Sequence, residues 1–298
     1  MTTANLPKPT AQSVLKTPRN SRARFVSLVM FTLCSTFTFV IMAILLLVLK
    51  YLIPKGFRAL SLSFFSELPI PFGEAGFPGG MKNGIVGTII MVSLAAIAGI
   101  PLGMLAGVYL SEYGANSRFS KSVRFVADVL SGVPSIVVGI LGYELLVVRN
   151  RNFSGWAGAF ALSFLMVPII ARTTEEMLRL VPQSYREGSI ALGASKARTI
   201  LKVVIPSATG SLITGVMLAL ARVAGETAPL LFTALGSRFL ETNPSQPFPS
   251  LTKQIFDNAT SSYDLQKQLA HAGILVLIGI IFVFNVAVRI IVSRKQTS

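Results

Sequence analysis

An all-α integral membrane protein with six transmembrane helices is the fold class this sequence predicts, on three observations. The 298-residue chain is 52% hydrophobic and 13% charged, with a mean hydropathy of +0.66. A water-soluble domain this apolar would expose aggregating patches, and burial in lipid is the usual solution. The apolar residues gather into six runs, most of them near the roughly 20 residues that carry a helix across a bilayer. The basic residues sit in short segments between those runs rather than on one soluble face. A formal charge of +15 therefore does not indicate nucleic acid as a partner.

Residues 1–24 are polar, basic and rich in Pro and Thr, as expected of a tail held near anionic lipid. The first run, about Phe25–Leu49, is too long for a cleaved signal peptide and lacks a small-residue cleavage site. Tyr51-Leu-Ile-Pro54 reads as its anchored exit from lipid. An outer loop follows to Lys82, with Phe64, Phe65, Phe72 and Phe77 placed for an aromatic belt and room for a short interfacial helix. The second run, Gly84–Leu110, carries Gly99, Gly103 and Gly107 at every fourth position, a small-xxx-small pattern that lets helix backbones approach. Pro101 within it predicts a kink. The third run, Val123–Val148, is interrupted by Pro134. The fourth, Trp156–Ile170, is short. The fifth, Gly210–Leu235, is interrupted by Pro229. A second long outer loop, Ser237–His271, precedes the sixth run, Ala272–Val292.

Charge asymmetry gives the orientation. With the N-terminus in the cytoplasm, seventeen of the 27 lysines and arginines lie inside and nine outside, with Arg222 inside a span. Both termini and the segment between the fourth and fifth runs then face the cytoplasm. Cys34 and His271 are the only residues of their kinds, so the sequence offers no thiolate cluster, no histidine-based zinc site and no cofactor to expect.

The cytoplasmic segment has its own grammar. Ser184-Tyr-Arg-Glu187 has capping-box spacing, which predicts a short helix starting at Ser184. Gly193 is placed to end it in a left-handed conformation. A second helix is predicted to Val204, with Ala197, Ile200, Leu201 and Val204 on one face and Pro206 as the break before the fifth span. Sixteen residues beyond Pro206, about 24 Å along a helix, stands Arg222, with Glu226 one turn further. An arginine at that depth costs about 3 kcal/mol, so it should face a partner or a watered cavity. Two readings fit the pair: an ion pair that locks the bundle, or an anion site in which the guanidinium fork grips an oxyanion and Glu226 accepts from its proton-bearing oxygen. Asp128, Glu144, Arg172 and the Glu175–Glu176 pair lie near span ends and read as structural.

Glu187, two small residues (Gly188 and Ser189), Gly193 and Pro206 reproduce the spacing of the EAA loop, and on these residues the chain resembles the ABC importer permeases of the MetI-like fold. That family prefers two alanines where Gly188 and Ser189 stand, and Ile205 replaces its usual Leu before the Pro. The run Ala221–Ala234, ARVAGETAPLLFTA, together with Ser131–Gly139, Gly107–Gly114 and Gly79–Thr88, is similar to the permease subunits of bacterial phosphate ABC importers. The likeness runs from about Gly79 to the C-terminus.

The resemblance implies a division into a tail at 1–24, a first helix and outer loop at 25–78, and a five-helix permease domain at 79–298 with its docking loop at 184–206. It implies that Ser184, Glu187, Gly188, Ser189, Gly193 and Pro206 couple to a dimer of ATPase subunits, and that Arg222 and Glu226 serve phosphate translocation. The remaining implied partners are a homologous second permease, an extracytoplasmic phosphate-binding protein and the lipid of a bacterial inner membrane. The chain has no G-x-x-x-x-G-K-[ST], so nucleotide energy is expected from another subunit, and no enzymatic role is expected here. The alternatives are a permease for another oxyanion such as molybdate or sulfate, a secondary transporter needing no ATPase, and a membrane-embedded enzyme. The last is opposed by the lone histidine and the absence of G-x-S-x-G and H-E-x-x-H motifs.

Overall fold

The computed structural model describes residues 21–70, 79–114 and 117–296. Most of the predicted tail, residues 1–20, lies outside the described residues, as do Pro71, Phe72, Phe77 and Pro78. Among those described, helices account for every regular element, and a single isolated bridge joins Leu235 to Phe248. The chain divides into two compact units at Pro54.

Helix α1, Ser21–Ala59, is apolar for most of its length and keeps Pro54 inside it, so the helix does not end at the expected exit. In the second unit, α2 (Leu62–Ser66) is the short helix expected in the first outer loop, capped by the Ser61 hydroxyl. Phe64 is not a belt residue. It is fully buried against Met81, Leu251 and Leu269, while Phe65 stays half exposed.

Helix α3, Lys82–Val108, continues as a π-helical turn over Tyr109–Tyr113. The third predicted span is not one rod. Helix α4 (Arg118–Gly132) and helix α5 (Ser135–Gly142, continued as a π turn to Val148) meet at 102°. Proline excludes its predecessor from the helical region, and Val133 and Pro134 both have extended ψ of 132°. The arm from Ser135 to Val148 is about 21 Å long at 1.5 Å per residue, too short to cross a bilayer alone.

Helix α6, Gly155–Arg179, is nine residues longer at its C-terminal end than the predicted run. It is the centre of the unit. Two thirds of its apolar window is buried (67%), against 22% for α3. The reason is composition: Gly155, Ala157, Gly158, Ala159 and Ala161 open its first turns to neighbours, and Leu162, Met166 and Ile170 fill the core beyond them. The glycine stripe of α3 lies against it. A Cβ on Gly99 would meet Met166, one on Gly103 would stand 2.7 Å from Ile170 Cβ, and one on Gly107 would stand 2.5 Å from Thr174 Cβ. The small-xxx-small reading holds, and its partner is α6.

Four helices follow α6 before the next long connection. They are α7 (Gln183–Ala191), α8 (Lys196–Thr199), which runs through a π turn (Ile200–Val204) into α9 (Ile205–Ala224), and α10 (Ala228–Thr233). Helix α11 (Leu251–Ala259) lies in the segment between the fifth and sixth predicted runs, and α12 (Asp264–Gln296) is the last helix. Five helices are long and apolar enough to span a membrane, and the bent α4–α5 pair makes a sixth crossing if counted as one.

Candidate functional site

The residues singled out by sequence fall at two places joined by one helix. The first is an elbow. Helix α7 starts one residue before Ser184, with Pro182 at its cap (φ −56°, ψ 140°) and no side-chain capping bond. The capping box is therefore not formed, because its hydroxyl must stand at the cap and Ser184 is already inside the first turn. Gly193 ends the elbow's first arm as expected, at φ +82°, and its N–H donates to the Ile190 carbonyl at 2.9 Å. Ser195 then caps the second arm by accepting from the Arg198 N–H at 3.4 Å.

The second arm does not break at Pro206. Residues Lys196–Ala224 form one continuous span. Proline removes an N–H and crowds the preceding turn. Here the turn before it is π-helical, with Ile205 N–H donating to the Ile200 carbonyl, and the widened turn accepts the ring. Of the four residues predicted to form one face, Ile200 and Val204 are buried, while Ala197 and Leu201 are exposed. Buried Thr199, which the apolar pattern missed, ties the arms together through its hydroxyl to Ser189 at 2.9 Å.

The outer surface of the elbow is open. Ser184, Glu187 and Gly188 are exposed, and a Cβ on Gly188 would meet nothing within 4 Å. Leu192 is 90% exposed, and Tyr185 and Ile190 are also more than half exposed. An open hollow of about 460 Å³ runs past Ser184, Tyr185, Gly188, Ser189 and Leu192. The sequence reading did not single out Leu192, although an exposed leucine beside a left-handed glycine is a residue no packing periodicity demands.

Behind the elbow lie two charge clusters. Arg186 donates two hydrogen bonds to the Glu112 carboxylate, Nη2 to Oε1 at 2.7 Å and Nε to Oε2 at 3.2 Å, and donates to the Leu178 and Val181 carbonyls. Glu175 is 1% exposed and takes Arg124 at 2.6 Å, Arg179 at 2.6 Å and Arg172 at 3.2 Å, with Arg172 also on Asp128 at 2.9 Å. The structural reading of Asp128, Arg172 and Glu175 agrees with this geometry. Glu112 and Arg186 are 74 residues apart, and no local pattern pairs them.

The second place is the far end of α9. The fifth run is broken before Pro229, not at it: α9 ends at Ala224, and Gly225 to Thr227 link it to α10, whose first turn holds Pro229. Arg222 is in the last turn and Glu226 just beyond the helix, so the two are not neighbours on one helical face. Their nearest approach is Arg222 Nε to Glu226 Oε1 at 3.8 Å, with side chains 55% and 17% exposed. Among the described residues the guanidinium makes no hydrogen bond, so its Nη fork is open. Glu226 is positioned through its backbone: its N–H donates to Val223 O at 3.1 Å and its carbonyl accepts from Thr252 Oγ1 at 2.9 Å. Thr252, on α11, is thus a positioning residue the sequence did not reveal. The break is packed by α5, where a Cβ on Gly139 would stand 2.6 Å from Pro229 Cα. Two segments of family-like sequence, Ser131–Gly139 and Ala221–Ala234, meet there.

Comparison with known proteins identifies the family. The family described as binding-protein-dependent transport system inner membrane component matches residues 99–297. The Yersinia pestis "Phosphate transport system permease protein PstA" is 42% identical over 244 residues, covering 82% of each chain. The probable PstA of Methanocaldococcus jannaschii is 37% identical over 212 residues, covering 71% of this chain and 75% of that one. Among solved structures, the MetNI methionine ABC transporter in an inward-facing conformation aligns at TM-score 0.58 and 19% identity, covering 72% of this chain and 94% of that one. An ABC transporter for alginate import aligns at TM-score 0.51 and 17% identity, covering 91% and 98%. These two carry the fold.

Proposed function

The chain belongs to the binding-protein-dependent transport system inner membrane component family, and from that premise we propose how it works as the permease subunit of a phosphate ABC importer. It is a multi-pass membrane protein, and hydrolysis of ATP belongs to another subunit of the assembly. In our reading both termini and the elbow face the cytoplasm of a bacterial cell, residues 1–24 form a basic tail, and residues 79–298 form the transport domain. A homologous permease stands opposite, two ATPase subunits dock below, and a phosphate-binding protein delivers the ion from outside.

The observation that carries this reading is the continuity of Lys196–Ala224. One helical rod joins the exposed elbow to Arg222, so a push at one end is delivered at the other without a soft joint. Ser184, Glu187, Gly188, Ser189 and Gly193 form the docking arm, with Leu192 as its apolar anchor, and Pro206 sits where the rod enters the bundle. Nucleotide-driven closure of the ATPases rotates the arm and rocks the bundle between outward-open and inward-open states.

At the other end the open Nη fork of Arg222 suits two oxygens of an oxyanion. The Glu226 carboxylate, held 3.8 Å from Nε, is near enough to accept from a protonated phosphate oxygen and too far to neutralise the guanidinium by hydrogen bonding. An acceptor there disfavours sulfate, which carries no proton at neutral pH.

The test is Arg222→Lys, which keeps the charge and removes the fork. Phosphate uptake by the reconstituted importer should fall about tenfold, the equivalent of one charge-assisted hydrogen bond, with the amount of assembled permease unchanged. Uptake at the wild-type rate would make Arg222 a structural residue.

A further inference from the structure

We infer that Arg186 and Glu112 form the joint through which the docking arm moves the α3–α6 pair, independently of the covalent route through Gly193 into α9. The inference rests on the proposed importer function and assigns it a second transmission point.

The geometry separates two faces of α7. Glu187 points out and is exposed, whereas the neighbouring Arg186 points in, with its side chain 14% exposed. Its guanidinium makes four hydrogen bonds to two different elements. Two go to the Glu112 carboxylate, itself 6% exposed, in the π turn that ends α3. The other two go to the carbonyls of Leu178 at 2.8 Å and Val181 at 2.7 Å, where α6 ends. Ser111 also donates to Glu112 at 3.1 Å, so the carboxylate is held from its own side. A planar fork bound on both edges resists rotation as well as separation.

That attachment is made to α3 and to α6, the most deeply buried of the long helices. Helices α3 and α6 pack backbone to backbone along Gly99, Gly103 and Gly107, a seam that leaves no room for an added methyl at Gly103 or Gly107. Without Arg186, the hydrogen bonds left between α7 and its neighbours, among the described residues, are those of the turn at Gly193 and the Ser189–Thr199 hydroxyl pair, besides the covalent link at Val181–Pro182. A pull by the ATPase would then swing α7 about its ends and leave α3 and α6 behind. With Arg186 in place, the same pull turns α3 and α6 against α9. Arg186 is a positioning residue: it touches neither ion nor nucleotide.

The test is the number of phosphate ions moved per ATP hydrolysed by the complete importer in vesicles, with binding protein and inorganic phosphate outside and ATP available to the ATPases. Arg186→Gln and Glu112→Gln should each lower that ratio about tenfold, within the range produced by mutations along a coupled network. ATP hydrolysis should persist, and the double variant should be no worse than the worse single one, because both remove the same joint. A wild-type ratio in either variant, or losses that multiply in the double, would overturn the assignment. If Arg186→Gln fails to assemble, Glu112→Gln decides the matter with α7 unaltered. Wild-type vesicles that take up phosphate without ATP would instead refute the importer function itself.

Discussion

The α3–α6 contact and the α7 elbow use the same residue types for opposite purposes. In the contact, glycine removes side chains so that backbones meet: an added methyl at Gly103 would stand 2.7 Å from Ile170 Cβ. In the elbow, Gly188 has empty space around it. Charges differ in the same way. Glu175 is buried and surrounded by three arginines, whereas Glu187 carries its charge on an open surface. One region has its complement within the chain, and the other is an open surface, the one proposed above to dock an ATPase subunit. A glycine or glutamate therefore does not carry one meaning. What it faces decides whether substitution costs folding or coupling.

The sharpest way to break this contrast is at Glu175. Glu175→Ala leaves Arg124, Arg172 and Arg179 gathered round a vacated, buried position, and only Arg172 keeps another carboxylate, Asp128. Removing one partner of a buried charge cluster costs about 3–5 kcal/mol. Partial exposure of Arg179 places the expected loss at the lower end of that range. The detergent-purified permease should show it as a marked fall in unfolding temperature, and an unchanged temperature would mean that the cluster is not part of the folded block. Next in size is Gly103→Leu. Forcing a side chain into the α3–α6 seam costs about 1–3 kcal/mol by overpacking, measured in the same way. A neutral result would show that α3 and α6 part easily, and it would remove the rigid body on which the Arg186 joint pulls.

Much of this contrast was readable from sequence, but unevenly. The i, i+4 spacing of Gly99, Gly103 and Gly107 announced close packing, because a helix presents every fourth residue on nearly one face. The left-handed Gly193 was equally legible, since few other residues reach φ +82° without strain. Proline was harder. Pro134 breaks its span because extended backbone precedes it, whereas Pro206 is absorbed by a π turn and Pro229 merely opens α10. The residue alone does not say which will happen, because the outcome depends on whether the preceding turn can widen. The capping box failed for a related reason: its spacing was right, but Pro182 set the helix start one residue earlier. The Arg186–Glu112 joint and the hold of Thr252 on Glu226 were illegible, because each is a tertiary contact between segments with no shared periodicity.

The smallest effect tests the comparison from the open side. Gly188 lies inside α7, where glycine costs roughly 0.5–1 kcal/mol relative to alanine through backbone entropy. A Cβ there meets nothing, so Gly188→Ala should leave the unfolding temperature unchanged or raise it slightly. The same substitution at Gly103 would put a methyl within 3 Å of two Ile170 carbons. If Gly188→Ala lowers the unfolding temperature as a change in the seam does, the elbow is packed like the core and the division between the two regions fails. If stability holds, a change in phosphate uptake would support the proposed docking of an ATPase on α7, because no described residue of this chain is near enough to register the added methyl.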